Sequence, residues 1–370
     1  MTLGLRVLRG SGAAVLGRWA VVAAASAGTG LLLLSSLGWA LAHPQRGSYD
    51  AIVRLGWCVV PVVVTVQLAA AVGRAQPDGW PRTGLSAVGL GRTGVVLMSA
   101  ANSAVVCATG SVVALLVFLQ LRGDVTGVPA GGIGPGVLAA GKPLPLAGAA
   151  TLLALVPVAA AATGAAGLRP KTAPSTDAPG GLPWGVALTA VGLAIEVTAP
   201  KGHALPLPSG FGSIPPGAVG GWVVTTVGMV LAGPGLVHAC GRFLASYRPN
   251  ALRLLAGRAL QAEARRIGRP LALLCATAAA GLAAYDLHHP LGPVTAFAAG
   301  LIAVCVLGTA SLAFQETKAV RVPSTKALRE LGASPALLRS ALALRATVLL
   351  AAVIPLTVLI AALATIPTPR

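Results

Sequence analysis

The chain has 370 residues, of which 55% are hydrophobic and only 10% are charged. A soluble protein carries about 25% charged residues, so the composition excludes an ordinary soluble domain and indicates a membrane protein. The formal net charge of +18 does not indicate nucleic acid as a partner, because the cations are scattered, without interleaved aromatic residues or a recognised nucleic-acid module. Contact with membrane lipids, through anionic headgroups, explains these cations more simply.

Apolar runs follow one another along the chain, and most have the length of about 20 residues that a helix needs to span a bilayer. The nine runs are residues 19–42, 51–72, 95–119, 146–166, 182–199, 219–240, 270–285, 291–314 and 341–365. They predict an all-α, polytopic membrane protein with about nine spans, within a range of eight to ten, because the fifth and seventh runs are short. The first run is longer than a signal-peptide core, so we expect it to be retained.

The cations also predict an orientation. With a cytoplasmic N-terminus, most of the 27 Lys and Arg residues fall in five segments on the cytoplasmic side, as the positive-inside rule requires. An odd number of spans then places the C-terminus outside. The segments that face outward are short or rich in Gly and Pro, which is typical of irregular loops.

The basic segment 241–269 has helical periodicity. Leu252, Leu255, Ala259 and Ala262 share one face, and arginines occupy the other. This pattern predicts a cytoplasmic amphipathic helix that lies in the membrane interface. A simple cluster of orienting charges is the alternative.

Two inward-facing segments resemble each other, one beginning "LSAVGLG" at Leu85 and the other "LRELGAS" at Leu328. In register, Val88 matches Leu331 and Gly89 matches Gly332. Each segment follows one predicted span and precedes the next. We interpret this as a weak internal duplication of residues 17–166 and 268–370, a common way of building membrane transport proteins.

The second of these segments predicts a short helix, a break and a rising helix, which we call the elbow. Pro323 interrupts the preceding helix, and Ser324 or Thr325 caps a new one that covers residues 326–331. Gly332 ends that turn in the left-handed conformation. Ser334 caps the next helix, with Pro335 in its first position.

The elbow predicts a docking surface for a partner. Leu328 and Leu331 share one face because they are three residues apart, while Arg329 and Glu330 point elsewhere. The two leucines therefore form an apolar side that fits a groove in another protein. A solvated connecting loop is the alternative.

The stretch "LRELGASPALLRSALALRATVLL" resembles the hallmark loop of the FtsX/MacB-type ABC transporter permeases. The segment from Arg248, "RPNALRLLAGRALQAEARRIGRPLALL", is similar to the middle section of two-repeat permeases of this type from actinobacteria. The resemblance covers residues 295–365 closely and residues 50–166 more loosely.

The resemblance implies a permease subunit in the bacterial plasma membrane, driven by a separate ABC-type ATPase dimer that docks on cytoplasmic loops. It also implies assembly into a homo- or hetero-oligomeric permease. The coupling residues that it implies are, in the elbow, Lys326, Leu328, Arg329, Glu330, Leu331, Gly332, Ser334 and Pro335, and in the first repeat, Leu85, Val88, Gly89 and Arg92.

The resemblance also gives a division of the chain. Residues 1–166 form a degenerate first repeat, residues 167–267 a helix pair with the basic amphipathic helix, and residues 268–370 a second repeat that lacks its last helix. The family's extracellular domain is reduced to a few residues, and the first elbow has lost the Arg-Glu pair. This loss implies that the two halves engage the ATPase unequally, or that only one of them does.

No Gly-x-x-x-x-Gly-Lys-[Ser/Thr] phosphate loop is present in the sequence, so we expect the partner to bind and hydrolyse ATP. We expect this chain not to be an enzyme. We also expect it to hold no metal or cofactor. An ion-coupled transporter is an alternative, but only Glu196 among the acids lies inside an apolar run. A membrane enzyme would depend on Asp286, His288 and His289, which lack a metal-binding framework. A non-transporting scaffold or signalling protein would have the same sequence pattern.

Overall fold

The computed structural model describes residues 13–75, 92–124, 142–167, 180–198, 205–206, 213–214, 216–247, 250–287, 292–330 and 332–365. The helices are α1 (Ala13–Ala42), α2 (Gly47–Trp57), α3 (Val59–Arg74), α4 (Arg92–Arg122), α5 (Leu146–Gly167), α6 (Leu182–Thr198), α7 (Pro216–Ser246), α8 (Ala251–Leu287), α9 (Pro293–Glu330) and α10 (Pro335–Thr365), with a short 3-10 helix at Pro44–Arg46. Two paired strands of two residues each, β1 (Leu205–Pro206) and β2 (Ser213–Ile214), are the other regular elements in these ranges. The predicted helical fold is confirmed.

Seven stretches of the described chain are long and apolar enough to cross a membrane. They are Val15–Ala42, Ser48–Arg74, Ala100–Arg122, Leu146–Ala166, Gly217–Ser246, Pro293–Ala319 and Pro335–Thr365. Large apolar side chains on these helices face outward, with Val105 61% exposed and Val158 66% exposed, which suits lipid rather than water as the surrounding solvent. The protein is a multi-pass helical membrane protein.

The two shortest predicted runs have different outcomes. The fifth run forms α6, which is apolar but shorter than the seven stretches. The seventh run is the C-terminal part of α8, a helix of 37 residues that is not among the seven. The count of nine spans and the sides of the two termini therefore stay predictions.

The chain divides into two compact units. The first comprises Met1–Lys171, Pro206–Gly210 and Gly292–Cys305, and the second comprises Thr172–Leu205, Phe211–Leu291 and Val306–Arg370. The three-part division expected from the sequence, with its two repeats, stays a prediction.

The first unit is built on α1, α4 and α5. Their shared core cluster consists of Leu34, Ala114, Phe118, Ala149 and Leu153. A buried polar contact adds to it, because the hydroxyl groups of Thr29 and Thr65 are 2.8 Å apart. The sulfur of Cys305, in the N-terminal half of α9, lies 3.8 Å from the same Thr65 hydroxyl. Buried hydroxyl groups that contact polar groups on neighbouring helices are typical of helix packing in membranes.

The second unit is organised by glycines in α6 and α7. Gly185 and Gly192 lie seven residues apart on α6, as do Gly221 and Gly228 on α7, and we call these four residues the glycine seam. A Cβ atom at Gly228 would lie 2.5 Å from the backbone nitrogen of Thr189 and 2.8 Å from the carbonyl oxygen of Gly185. Absent side chains thus allow the two helix backbones to touch.

The basic segment 241–269 differs from its prediction. It is divided between α7, which ends at Ser246, and α8, which begins at Ala251, so a single amphipathic helix is wrong. The buried face of α8 is formed by Ala256, Leu260, Ala264 and Ile267.

The predicted apolar face of Leu252, Leu255, Ala259 and Ala262 is half-buried or exposed. The buried face instead joins Val237 and Leu244 of α7 and Ala341 of α10 in one cluster. The face is selected by close packing on other helices, where small side chains fit best. It therefore covers protein rather than the membrane interface.

Candidate functional site

The elbow has a longer first arm than the sequence predicts. Helix α9 runs through Pro323 without a break and ends at Glu330, so the separate short helix at residues 326–331 is wrong. The hydroxyl of Thr325 donates to the carbonyls of Arg321 (3.0 Å) and Val322 (2.9 Å) inside the helix, instead of capping a new one. Proline has a helical φ and removes one hydrogen bond, and helices in membrane proteins tolerate this loss.

The break itself forms as the sequence predicts. Gly332 has φ +91°, and its N–H donates to the carbonyl of Arg329 (3.0 Å), while the N–H of Ala333 donates to the carbonyl of Leu328 (2.9 Å). This pair of bonds is the Schellman helix ending. The N–H of Leu337 then donates to the hydroxyl oxygen of Ser334 at 3.3 Å. Helix α10 begins at Pro335, so the predicted helix ending at Gly332, the cap at Ser334 and the helix start at Pro335 are confirmed.

The charged residues of the elbow lie on the last turns of α9. Lys326, Arg329 and Glu330 are exposed, and Leu328 is half-buried. Leu331 lies outside the described residues. The exposed charges leave this end of the helix accessible to a partner.

The first-repeat elbow lies largely outside the residues that the structure describes. Leu85, Val88 and Gly89 lie outside the described residues, and Arg92 is the first residue of α4. Its correspondence to the second elbow stays a prediction.

A charge cluster ties both arms of the elbow to α8. The guanidinium of Arg321, on α9, donates through Nε and Nη2 to the two carboxylate oxygens of Glu263, on α8. Side-chain exposure is only 22% for Arg321 and 13% for Glu263. A bidentate, largely buried pair of this kind is among the stronger polar contacts in proteins. Nη2 of Arg345, on α10, donates to the carbonyl of Leu255, on α8, at 3.4 Å.

Sequence reasoning did not find this cluster, although one signal for it is present. Glu263 is the single acid within the basic segment 241–269 and lies seven residues after Ala256, which places it on the buried face of α8. An ionised acid on a buried face requires a cation nearby. The partner lies 58 residues away in Arg321, a separation that local pattern does not resolve.

A second polar site lies in the helices α6 and α7. Glu196 is only 4% exposed, and the indole N–H of Trp222 donates to its Oε1 atom. Among the residues that the structure describes, its Oε2 atom and the hydroxyl of the buried Thr225 have no hydrogen-bond partner. Both residues line a cleft of about 50 Å³.

A cluster of metal-ligating side chains is absent from the described residues. No group of three or more His, Cys, Asp or Glu side chains there lies close enough together to hold a metal ion. His288 and His289 lie outside the described residues. The cysteines Cys58, Cys107, Cys240, Cys275 and Cys305 are all free.

Comparisons of this chain with protein-family models, with curated proteins and with solved structures find no match.

Replacement of Gly332 by Ala is expected to destabilise the chain by about 1 kcal/mol, because a Cβ atom disfavours the left-handed conformation. The matched control is Gly300→Ala in α9, where a Cβ atom meets nothing within 4 Å. That control is expected to be neutral or stabilising, since alanine is the better helix former. Thermal unfolding of the purified chain in detergent measures both. Equal shifts of the midpoint in the two variants would contradict the role of Gly332.

Proposed function

We propose that the chain is the membrane-spanning permease subunit of an FtsX/MacB-type ABC transporter, of the two-repeat actinobacterial kind, in the bacterial plasma membrane. A separate ABC-type ATPase dimer docks on the elbow, at residues 326–335, and drives export or the transmission of mechanical force. The observation that carries the proposal is the Schellman break between α9 and α10. It joins an exposed charged helix end directly to an apolar helix long enough to span the membrane.

The contacts behind the elbow support a mechanical role. A movement of the elbow acts on α9 and α10 together, because Gly332 and Ser334 fix the angle between them through backbone and cap hydrogen bonds. The Arg321–Glu263 pair and the Arg345–Leu255 contact attach both helices to α8. Closure of the ATPase dimer would therefore move α8, α9 and α10 as a group rather than bend one helix.

The test is co-purification of the chain with a candidate ABC-type ATPase subunit. The variant carries Glu330→Ala with Leu331→Asp, which removes a charge from the end of α9 and places a new one at the predicted apolar contact. We expect association to weaken about tenfold or more, because an unpaired charge at the centre of an interface is costly. Stimulated ATP turnover is expected to fall with it.

The matched control is Glu330→Asp with Leu331→Met, which keeps both the charge and the apolar character. Membrane insertion and thermal midpoint of each variant, measured without the ATPase, separate a docking defect from misfolding. Unchanged association and ATP turnover in the first variant, with normal insertion, would overturn the proposal. If the chain associates with the ATPase and stimulates its ATP turnover but no substrate is transported, the result would favour a signalling or scaffold protein.

A further inference from the structure

The cleft at Glu196 contains an acid that the elbow does not use. The carboxyl group lies where α6 meets α7, just beyond the contact of Gly192 with Gly221, and is almost fully buried. Its one protein hydrogen bond comes from the neutral indole of Trp222. The unpartnered Oε2 atom and the unpartnered Thr225 hydroxyl line the same small cleft.

The described residues that line the cleft around this acid carry no compensating charge. The cleft is lined from α7 by Trp222, Thr225, Thr226 and Met229, from α8 by Ala276, Ala279, Ala280 and Ala283, and from α10 by Ile360 and Ala364. Glu196 is the one titratable residue among the lining residues and within α6. On α8, Asp286 follows Ala283 by three residues, and its side chain lies outside the described part of the structure.

An ionised carboxylate fits this environment poorly. Burial of a charge without a cation is strongly unfavourable, and a single hydrogen bond from a neutral donor offsets only a small part of that free energy. A neutral carboxyl group avoids the cost and gains an O–H donor for the unpartnered side of the cleft. The cleft also has room for a water molecule, which needs one probe sphere of about 10–15 Å³ and two or more polar partners.

We propose that Glu196 is a proton-binding site, whose carboxyl group holds a proton while α6 is packed on α7 and gives it to water when the cleft opens. The O–H bond at Oε2 breaks, its electron pair stays on the carboxylate, and the proton passes to a water molecule in the cleft. When α6 packs on α7 again, the carboxylate of Glu196 takes up a proton from water. Proton binding is thereby linked to the packing of one helix, a property that does not depend on the ATPase proposed above.

Infrared difference spectroscopy of the full chain in lipid bilayers tests this proposal. At neutral pH, we expect the C=O stretching band of a protonated carboxyl group, which shifts on exchange of the protein into heavy water. The band is expected to be absent in Glu196→Gln, which keeps an oxygen acceptor for Trp222. It is expected to remain in the matched control Asp286→Asn. Trp222→Phe is expected to move the band to higher frequency, because the C=O group loses its donor.

Labelling of wild-type protein with a heavy carbon isotope at the glutamate side-chain carboxyl gives a second measurement without any substitution. A band that shifts with the label belongs to a glutamate, as we expect. Absence of the band at neutral pH, or its loss in Asp286→Asn instead of Glu196→Gln, would overturn the proposal. Loss of the band on addition of sodium at constant pH would assign the cleft to a monovalent cation and overturn it as well.

Discussion

Replacement of Gly228 by Ala is expected to destabilise the protein by about 3 kcal/mol, the upper end for added volume in a tightly packed contact. The new methyl group would lie 2.5 Å from the backbone nitrogen of Thr189 and 2.8 Å from the carbonyl oxygen of Gly185. Neither atom belongs to a side chain that can rotate away. Helices α6 and α7 therefore have to separate along the whole glycine seam.

The matched control for this prediction is Gly220→Ala on the same helix, where a Cβ atom meets nothing within 4 Å. Because alanine stabilises a helix relative to glycine by up to about 1 kcal/mol, this variant is expected to raise the thermal midpoint or leave it unchanged. The two substitutions are chemically identical and differ in the expected sign. Size-exclusion chromatography after heating steps in detergent measures both midpoints. If the Gly228→Ala protein is as stable as the control, the close contact of α6 and α7 along the glycine seam is contradicted.

Removal of the Glu263 carboxylate is the second large effect that we expect. Glu263→Gln leaves the guanidinium of Arg321 largely buried without its counter-ion, and loss of one partner of a buried pair costs about 3–5 kcal/mol. The 22% exposure of Arg321 lets water compensate in part, so we expect the lower end of this range. Arg321→Met is expected to cost a similar amount, since it leaves the carboxylate unpaired.

The double variant Glu263→Gln with Arg321→Met distinguishes a specific pair from two independent sites. Because the double change removes both charges, it is expected to be markedly more stable than the sum of the single changes predicts. The control is Glu330→Gln, an exposed acid on the same face of the membrane in the proposed topology, with an expected change within about 0.5 kcal/mol. Unfolding midpoints of all four proteins complete the cycle. Simple additivity would show that the two charges are not coupled.

The sequence predicts the local features of the elbow well and its long-range features poorly. Gly332, Ser334 and Pro335 act on backbone groups within a few residues, so residue type alone determines their effect. The effect of Pro323 is different, because the stability of α9 depends on packing and on the surrounding solvent as well as on one lost hydrogen bond. Helix continuity at Pro323 was therefore mispredicted.

The buried faces show the same limit. Periodicity favoured Leu252 and Leu255 as the core of α8 because they are large and apolar. Contact with α7 instead buries Ala256 and Ala264 together with Leu260, and close backbone approach in a membrane protein favours small residues such as the two alanines. Seven-residue spacing of glycines is visible in the sequence, but it does not identify the facing helix. The cleft at Glu196 forms where α6 faces α7, so the sequence does not predict it.

The uninterrupted course of α9 through Pro323 determines how far the elbow stands from the lipid. The apolar stretch of this helix ends at Ala319, and the helix continues to Glu330, which adds about 16 Å at 1.5 Å per residue along the helix axis. The headgroup layer on each side of a bilayer is only about 5–8 Å thick. For a helix close to the bilayer normal, Lys326, Arg329 and Glu330 thus project beyond the headgroups into water. A large water-soluble protein can then reach the elbow without displacing lipid.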